Sequence, residues 1–149
     1  MLDAIRAKFK KYFFSAVLLM CLCAQGVRTE AASLYISPSQ NQASVGDTVN
    51  LKVYVNTQSV SVNTVEGVVK FDPSALQIVS VNKGSVVNIW IEEPTFSNTK
   101  GTITFNGGTT PPGYTGSAGQ VFSIVAKVKK EGTVSLTLSG VSIRKSDGY

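Results

Sequence analysis

Apolar and polar residues alternate at a period of two in one stretch after another of this 149-residue chain, and that pattern leaves few folds open. From Thr48 to Asn56, Val49, Leu51, Val53 and Val55 point one way. Thr48, Asn50, Lys52, Tyr54 and Asn56 point the other. Successive side chains of a strand leave opposite faces, so such a stretch predicts a strand with one buried and one wet side. The pattern returns in Gly101 to Asn106, with Ile103 and Phe105 inward. It returns again in Gln120 to Lys129, where Phe122, Ile124, Ala126 and Val128 oppose Val121, Ser123, Val125, Lys127 and Lys129. Thr133 to Leu138 repeats it with Val134, Leu136 and Leu138 inward.

The organising stretch is Val65 to Leu76, VEGVVKFDPSAL. Val65, Val69 and Phe71 share one side, and Thr64, Glu66 and Lys70 share the other. Asp72-Pro73 then ends the strand, because proline donates no backbone hydrogen bond and Asp can bond its own backbone in a turn. Leu76 to Val81 starts a new strand, with Val69, Phe71 and Leu76 as core positions. Shorter strands are expected at Ser33 to Ser37 and Val141 to Ile143, and a less regular one at Val86 to Phe96. Gly107 to Gly119 (GGTTPPGYTGSAG) reads as an exposed loop. Eight or nine short strands, turn signals about every ten residues and no helical periodicity predict an all-β fold: a two-sheet antiparallel β-sandwich.

The N-terminus has a different character. Arg6, Lys8, Lys10 and Lys11 precede the uncharged apolar run Phe13 to Ala24, about a dozen residues long, which suits a signal peptide and is short for a membrane span. Ala31 and Ala32 are small enough for a signal peptidase. Residues 1–31 are therefore expected to be a signal peptide and 32–149 one domain, secreted and either free outside the cell or attached to its surface. An uncleaved anchor is the alternative. Neither Cys21 nor Cys23 follows a small residue, which disfavours lipid attachment.

Both cysteines fall in this leader, so the domain has no disulfide and no thiol nucleophile. Five of the 14 basic and two of the nine acidic residues fall there too. The domain keeps nine against seven, a net charge of +2, and the basic balance of the whole chain gives no support to nucleic-acid binding.

The chain has no histidine, which removes the commonest general base and a usual zinc ligand. Paired carboxylates could hydrolyse a glycoside, and Asp47, Glu66, Asp72, Glu92 and Glu93 are the candidates. Glu92 and Glu93 are adjacent, so in a strand they face opposite ways, and Asp72 is explained by its turn. No spaced-carboxylate calcium loop is present. The expectation is a non-catalytic protein with no catalytic residue, no metal site and no cofactor. Trp90, flanked by Ile89 and Ile91, suits a sugar-stacking surface and a core position about equally, while Tyr114 in its Pro-Gly loop reads as exposed.

Three segments resemble the cohesin family. VEGVVKFDPSALQIVSVNKG is similar to the cohesin strand-turn-strand in which an acidic strand residue precedes an aromatic-Asp-Pro turn. Gly119 to Gly132 (GQVFSIVAKVKKEG) resembles the long cohesin strand opened by a Val-Phe pair and ending in Ala-Lys-Val-Lys. Ala43 to Val55 (ASVGDTVNLKVYV) resembles the Gly-Asp turn and strand near the cohesin start. The resemblance implies a jelly-roll sandwich that docks a dockerin-type module in extracellular polysaccharide breakdown or surface assembly. It implies contacts by Thr64, Glu66 and Lys70, with this chain as the receptor half of the pair. Two other readings stand beside it: a carbohydrate-binding module stacking a polysaccharide on Trp90 and Tyr114, and a structural surface or adhesin domain. A membrane would enter only through the leader or a C-terminal anchor. The family continues past a segment like Ser146 to Tyr149 into a last strand, so this chain is expected to lack that strand, to present an open sheet edge, and to gain stability on extension.

Overall fold

The computed structural model describes residues 31–40 and 42–145. All but the last residue of the expected signal peptide lies outside them, as does the tail from Ser146 to Tyr149. The secondary elements of the described residues are eight strands: β1 (Ser33–Pro38), β2 (Thr48–Asn56), β3 (Val62–Lys70), β4 (Leu76–Lys83), β5 (Ile89–Ser97), β6 (Thr102–Gly108), β7 (Gly119–Val128) and β8 (Thr137–Lys145). They form two four-stranded antiparallel sheets, ordered β1-β2-β7-β4 and β5-β6-β3-β8. The two-sheet sandwich is the architecture that the alternating stretches predict.

The core lies between the sheets and is filled by the inward residues of each strand. Val53, Val55, Val69, Ile103, Phe122 and Ile124 are fully buried, and Phe71 and Leu76 join them. Phe105 of one sheet and Phe122 of the other meet at a ring-centroid distance of 4.9 Å and 60°. That tilted geometry suits the opposed charge of aromatic faces and edges.

The Asp72-Pro73 turn carries the chain from one sheet to the other, since β3 and β4 belong to different sheets. The Asp72 carboxylate accepts bonds from the Ser74 amide and hydroxyl, each at 2.8 Å, and the Asp72 carbonyl accepts one from the Leu76 amide at 2.9 Å. Phe71 donates its amide to the Gly101 carbonyl at 2.9 Å. Gly101 has φ +66°, and a Cβ there would lie 2.4 Å from the Phe71 carbonyl oxygen, so only glycine fits.

Asn98 closes the same side of the sandwich. Its side-chain oxygen accepts from the Ile78 amide at 2.8 Å and its side-chain nitrogen donates to the Ile78 carbonyl at 2.9 Å. One amide side chain thus satisfies both backbone groups of Ile78 on the free edge of β4. Lys83 and Glu93 add a surface ion pair at 2.8 Å between β4 and β5.

Three expectations need correction, two of them through β-bulges. Val121, which strict alternation puts on the wet side of its strand, is fully buried. Val53 faces Phe122 while Tyr54 faces Gln120, so Val121 is an extra residue and turns inward beside Phe122. The separate strands expected at Thr133 to Leu138 and Val141 to Ile143 are one strand, β8, starting at Thr137. Ser139 faces Val68 and Ser142 faces Glu66, so Gly140 and Val141 together oppose Gly67, and Gly140 takes φ +59°. The stretch from Gly107 to Gly119 is not all loop: its ends belong to β6 and β7, and Tyr114 forms an isolated bridge to Val62.

Candidate functional site

Alternation in β3 turns Val65, Gly67 and Val69 to the core and leaves Thr64, Glu66, Val68 and Lys70 on the outer face. Register then fixes their neighbours across the sheet. Thr64 lies between Gly108 and Arg144, Glu66 between Asn106 and Ser142, and Lys70 between Thr102 and Thr137. On the far side of β6, Glu92 of β5 faces Asn106 and Ile89 faces Gly108. Thr64, Glu66 and Lys70 therefore share one open face, with Glu66 in the middle of the sheet and Lys70 exposed at one end.

The centre of that face is a row of oxygen acceptors. Asn106 Nδ2 donates to Glu66 Oε2 at 3.2 Å, and Arg144 Nη2 lies 3.7 Å from Glu66 Oε1. The Thr104 hydroxyl donates to Glu92 Oε1. Asn106 Oδ1 is buried and has no hydrogen-bond partner. Such a group carries a desolvation cost until a donor meets it. Ile89 and Ile91 on β5 are exposed apolar neighbours, 52% and 77% accessible.

The pattern around β3 was legible in the sequence, but the partners of Glu66 were not. Glu92 lies in β5, whose register slips twice, between Trp90 and Glu92 and between Glu92 and Thr95. Arg144 lies beyond the bulge of β8. No local signal gives either register; only the pairing of neighbouring strands brings Glu92, Asn106, Glu66 and Arg144 together. Glu93, by contrast, turns away from this face to Lys83, as two adjacent strand residues should.

Trp90 and Tyr114 are each partly buried and packed against the core. Trp90 faces Gly107, where a Cβ would sit 2.7 Å from its ring, and packs against the core. Tyr114 is half-buried instead of exposed: its ring fills the space over Gly116 and Gly119 and also packs on the core. Each ring occupies a slot opened by a glycine. The ring pairs of the described residues, Tyr35–Tyr54 and Phe105–Phe122, include neither.

Among the described residues no group of three or more Asp, Glu, His or Cys side chains is placed to hold a metal ion. A cleft of about 310 Å³ opens near Leu51, Leu76, Val128, Val134 and Leu136. Its described walls carry no titratable side chain, so it has nothing with which to move a proton.

The chain matches the model of the Cohesin domain over residues 35–148. No curated protein matches it. Among solved structures it is similar to the second type II cohesin module of an adaptor scaffoldin from Acetivibrio cellulolyticus, at 16% identity and a TM-score of 0.64, covering 80% of this chain and 82% of that one. It is similar to a non-cellulosomal cohesin from the archaeon Archaeoglobus fulgidus, at 20% identity and 0.60, covering 78% and 80%. A chain of a type I cohesin–dockerin complex from Clostridium thermocellum is similar at 14% identity and 0.62, covering 80% and 90%. At these identities the structural likeness carries the fold.

Proposed function

The chain belongs to the cohesin family, and from that premise we propose that it is a non-catalytic module whose outer β5-β6-β3-β8 face docks a dockerin-type protein partner. The character of this face carries the reading. It is an open sheet surface where Glu66, Glu92, Lys70 and Arg144 stand beside exposed Ile89 and Ile91. Mixed apolar and charged surface of this kind suits a protein interface, whereas small ligands are held in concave pockets. A solved relative in complex with a dockerin supports the partner class.

In this reading Glu66 and the acceptor row beside it meet donors of the partner, Thr64 adds a hydrogen bond, and Lys70 steers at the rim. Calorimetric titration with a dockerin module tests it. Glu66→Lys should weaken binding more than about tenfold, because a reversed charge at the centre meets the partner's donors with repulsion. Lys70→Ala should change mainly the association rate and its salt dependence. Undiminished affinity in Glu66→Lys would remove this face from the account.

The same proposal takes residues 1–31 as a signal peptide and places the domain outside the cell, secreted or held at the surface, in polysaccharide breakdown or surface assembly. The N-terminal sequence of the exported protein should begin near Ala32 or Ser33. An intact leader on that protein would support the anchored alternative.

A further inference from the structure

The opposite face of the sandwich, the outer side of β1-β2-β7-β4, has another chemistry. Tyr35 of β1 lies directly across from Tyr54 of β2, and their rings stack at 5.4 Å and 25°. The Tyr35 hydroxyl donates to the Ser117 carbonyl at 3.2 Å, which ties the pair to the loop before β7. Tyr35 is nevertheless 38% exposed. Gln120 continues the row on β7. Lys52 stands two residues along β2 from Tyr54, about 7 Å away, between Ser37 and Ser123. Lys127 lies farther down the same face, between Thr48 and Gln77.

The outward positions of these four strands carry no Asp or Glu. Among the described residues, neither Lys52 nor Lys127 enters an ion pair. This face therefore joins an exposed aromatic stack to serines and amides, which both donate and accept hydrogen bonds, and to lysines without countercharge.

We propose that this face binds an anionic polysaccharide. A sugar ring has an apolar side that an aromatic ring can cover, and hydroxyls that suit groups able to donate and accept at once. The unpaired lysines call for acidic groups on the polymer. An acidic peptide would match the lysines but would leave the tyrosine stack and the amide-hydroxyl rows without a role. The site is distinct from the proposed docking face and does not depend on it.

Affinity electrophoresis of the full chain tests this, with polygalacturonate in the gel and, in parallel, its carboxyl-reduced neutral form and polyglutamate. Polygalacturonate should retard the protein, and the other two should not. Tyr35→Ala and Lys52→Glu should each weaken retardation by about tenfold, and added salt should weaken it further. Lys100→Glu, which reverses a charge in the turn after β5, should leave it unchanged. Lys52 is exposed and outside the core, so its variant keeps the test valid should Tyr35→Ala fail to fold. No retardation by polygalacturonate, equal retardation by the neutral polymer or polyglutamate, or full retention in Lys52→Glu would each overturn the proposal.

Discussion

At Asp72 one carboxylate organises a turn that joins two sheets. The bonds from the Ser74 hydroxyl and amide hold its pKa below the ordinary carboxylate value of 3.8, and Lys130 and Lys129 add a little in the same direction. A depressed carboxylate favours the folded state above its unfolded pKa, and the effect fades as pH falls through the folded pKa. Ser74→Ala removes the hydroxyl bond. The variant should therefore be less stable than the parent at about pH 7, and the gap should narrow at acid pH, as the carboxylate takes up its proton. Urea midpoints at the two pH values check this, and a gap that stays constant would mean the hydroxyl acts through something other than the charge. This turn was readable in advance because Asp-Pro signals it within two residues. Asn98 was not: its bonds to Ile78 cross 20 positions of sequence, and nothing local marks an asparagine that caps a sheet edge.

Element by element, alternation foretold which side of β2, β3 and β6 meets the core and failed wherever a strand takes an extra residue. In β8 the phase breaks at Gly140: Leu138 packs on the core, Ser139 and Ser142 face outward, and three positions separate those two where two would keep the period. A sequence reader sees two short strands, whereas hydrogen bonding to β3 carries one strand across the interruption. The bulge requires the left-handed backbone of Gly140. Gly140→Val should cost about 1–2 kcal/mol, because a Cβ in that conformation crowds the following carbonyl. Gly140→Asn should cost less, since Asn enters the left-handed region more readily. Denaturation of both variants measures the difference. Equal losses would mean that crowding around the residue, not its φ, sets the cost. The open space around Gly140 argues against crowding: no atom lies within 4 Å of where its Cβ would sit.

Over the whole molecule, two unlike faces share one core. The β5-β6-β3-β8 face centres on two glutamates and an unmet amide oxygen, and the β1-β2-β7-β4 face on two tyrosines and free lysines. Both are backed by the same interior, and Phe105 and Phe122 are where the sheets touch through aromatic rings. Removing one of these rings tests whether the sheets fold as a unit. Phe105→Ala leaves a cavity beside a fully buried partner and should cost about 3–5 kcal/mol. Trp90 in β5 reports on one sheet by fluorescence, and the Tyr35–Tyr54 stack reports on the other by near-ultraviolet circular dichroism. With one shared core, the two signals should move together in the parent, and the midpoint in the variant should fall equally for both. Separated transitions would show each sheet to be stable without the other. That outcome conflicts with a core in which the inward residues of each sheet are covered chiefly by those of its partner.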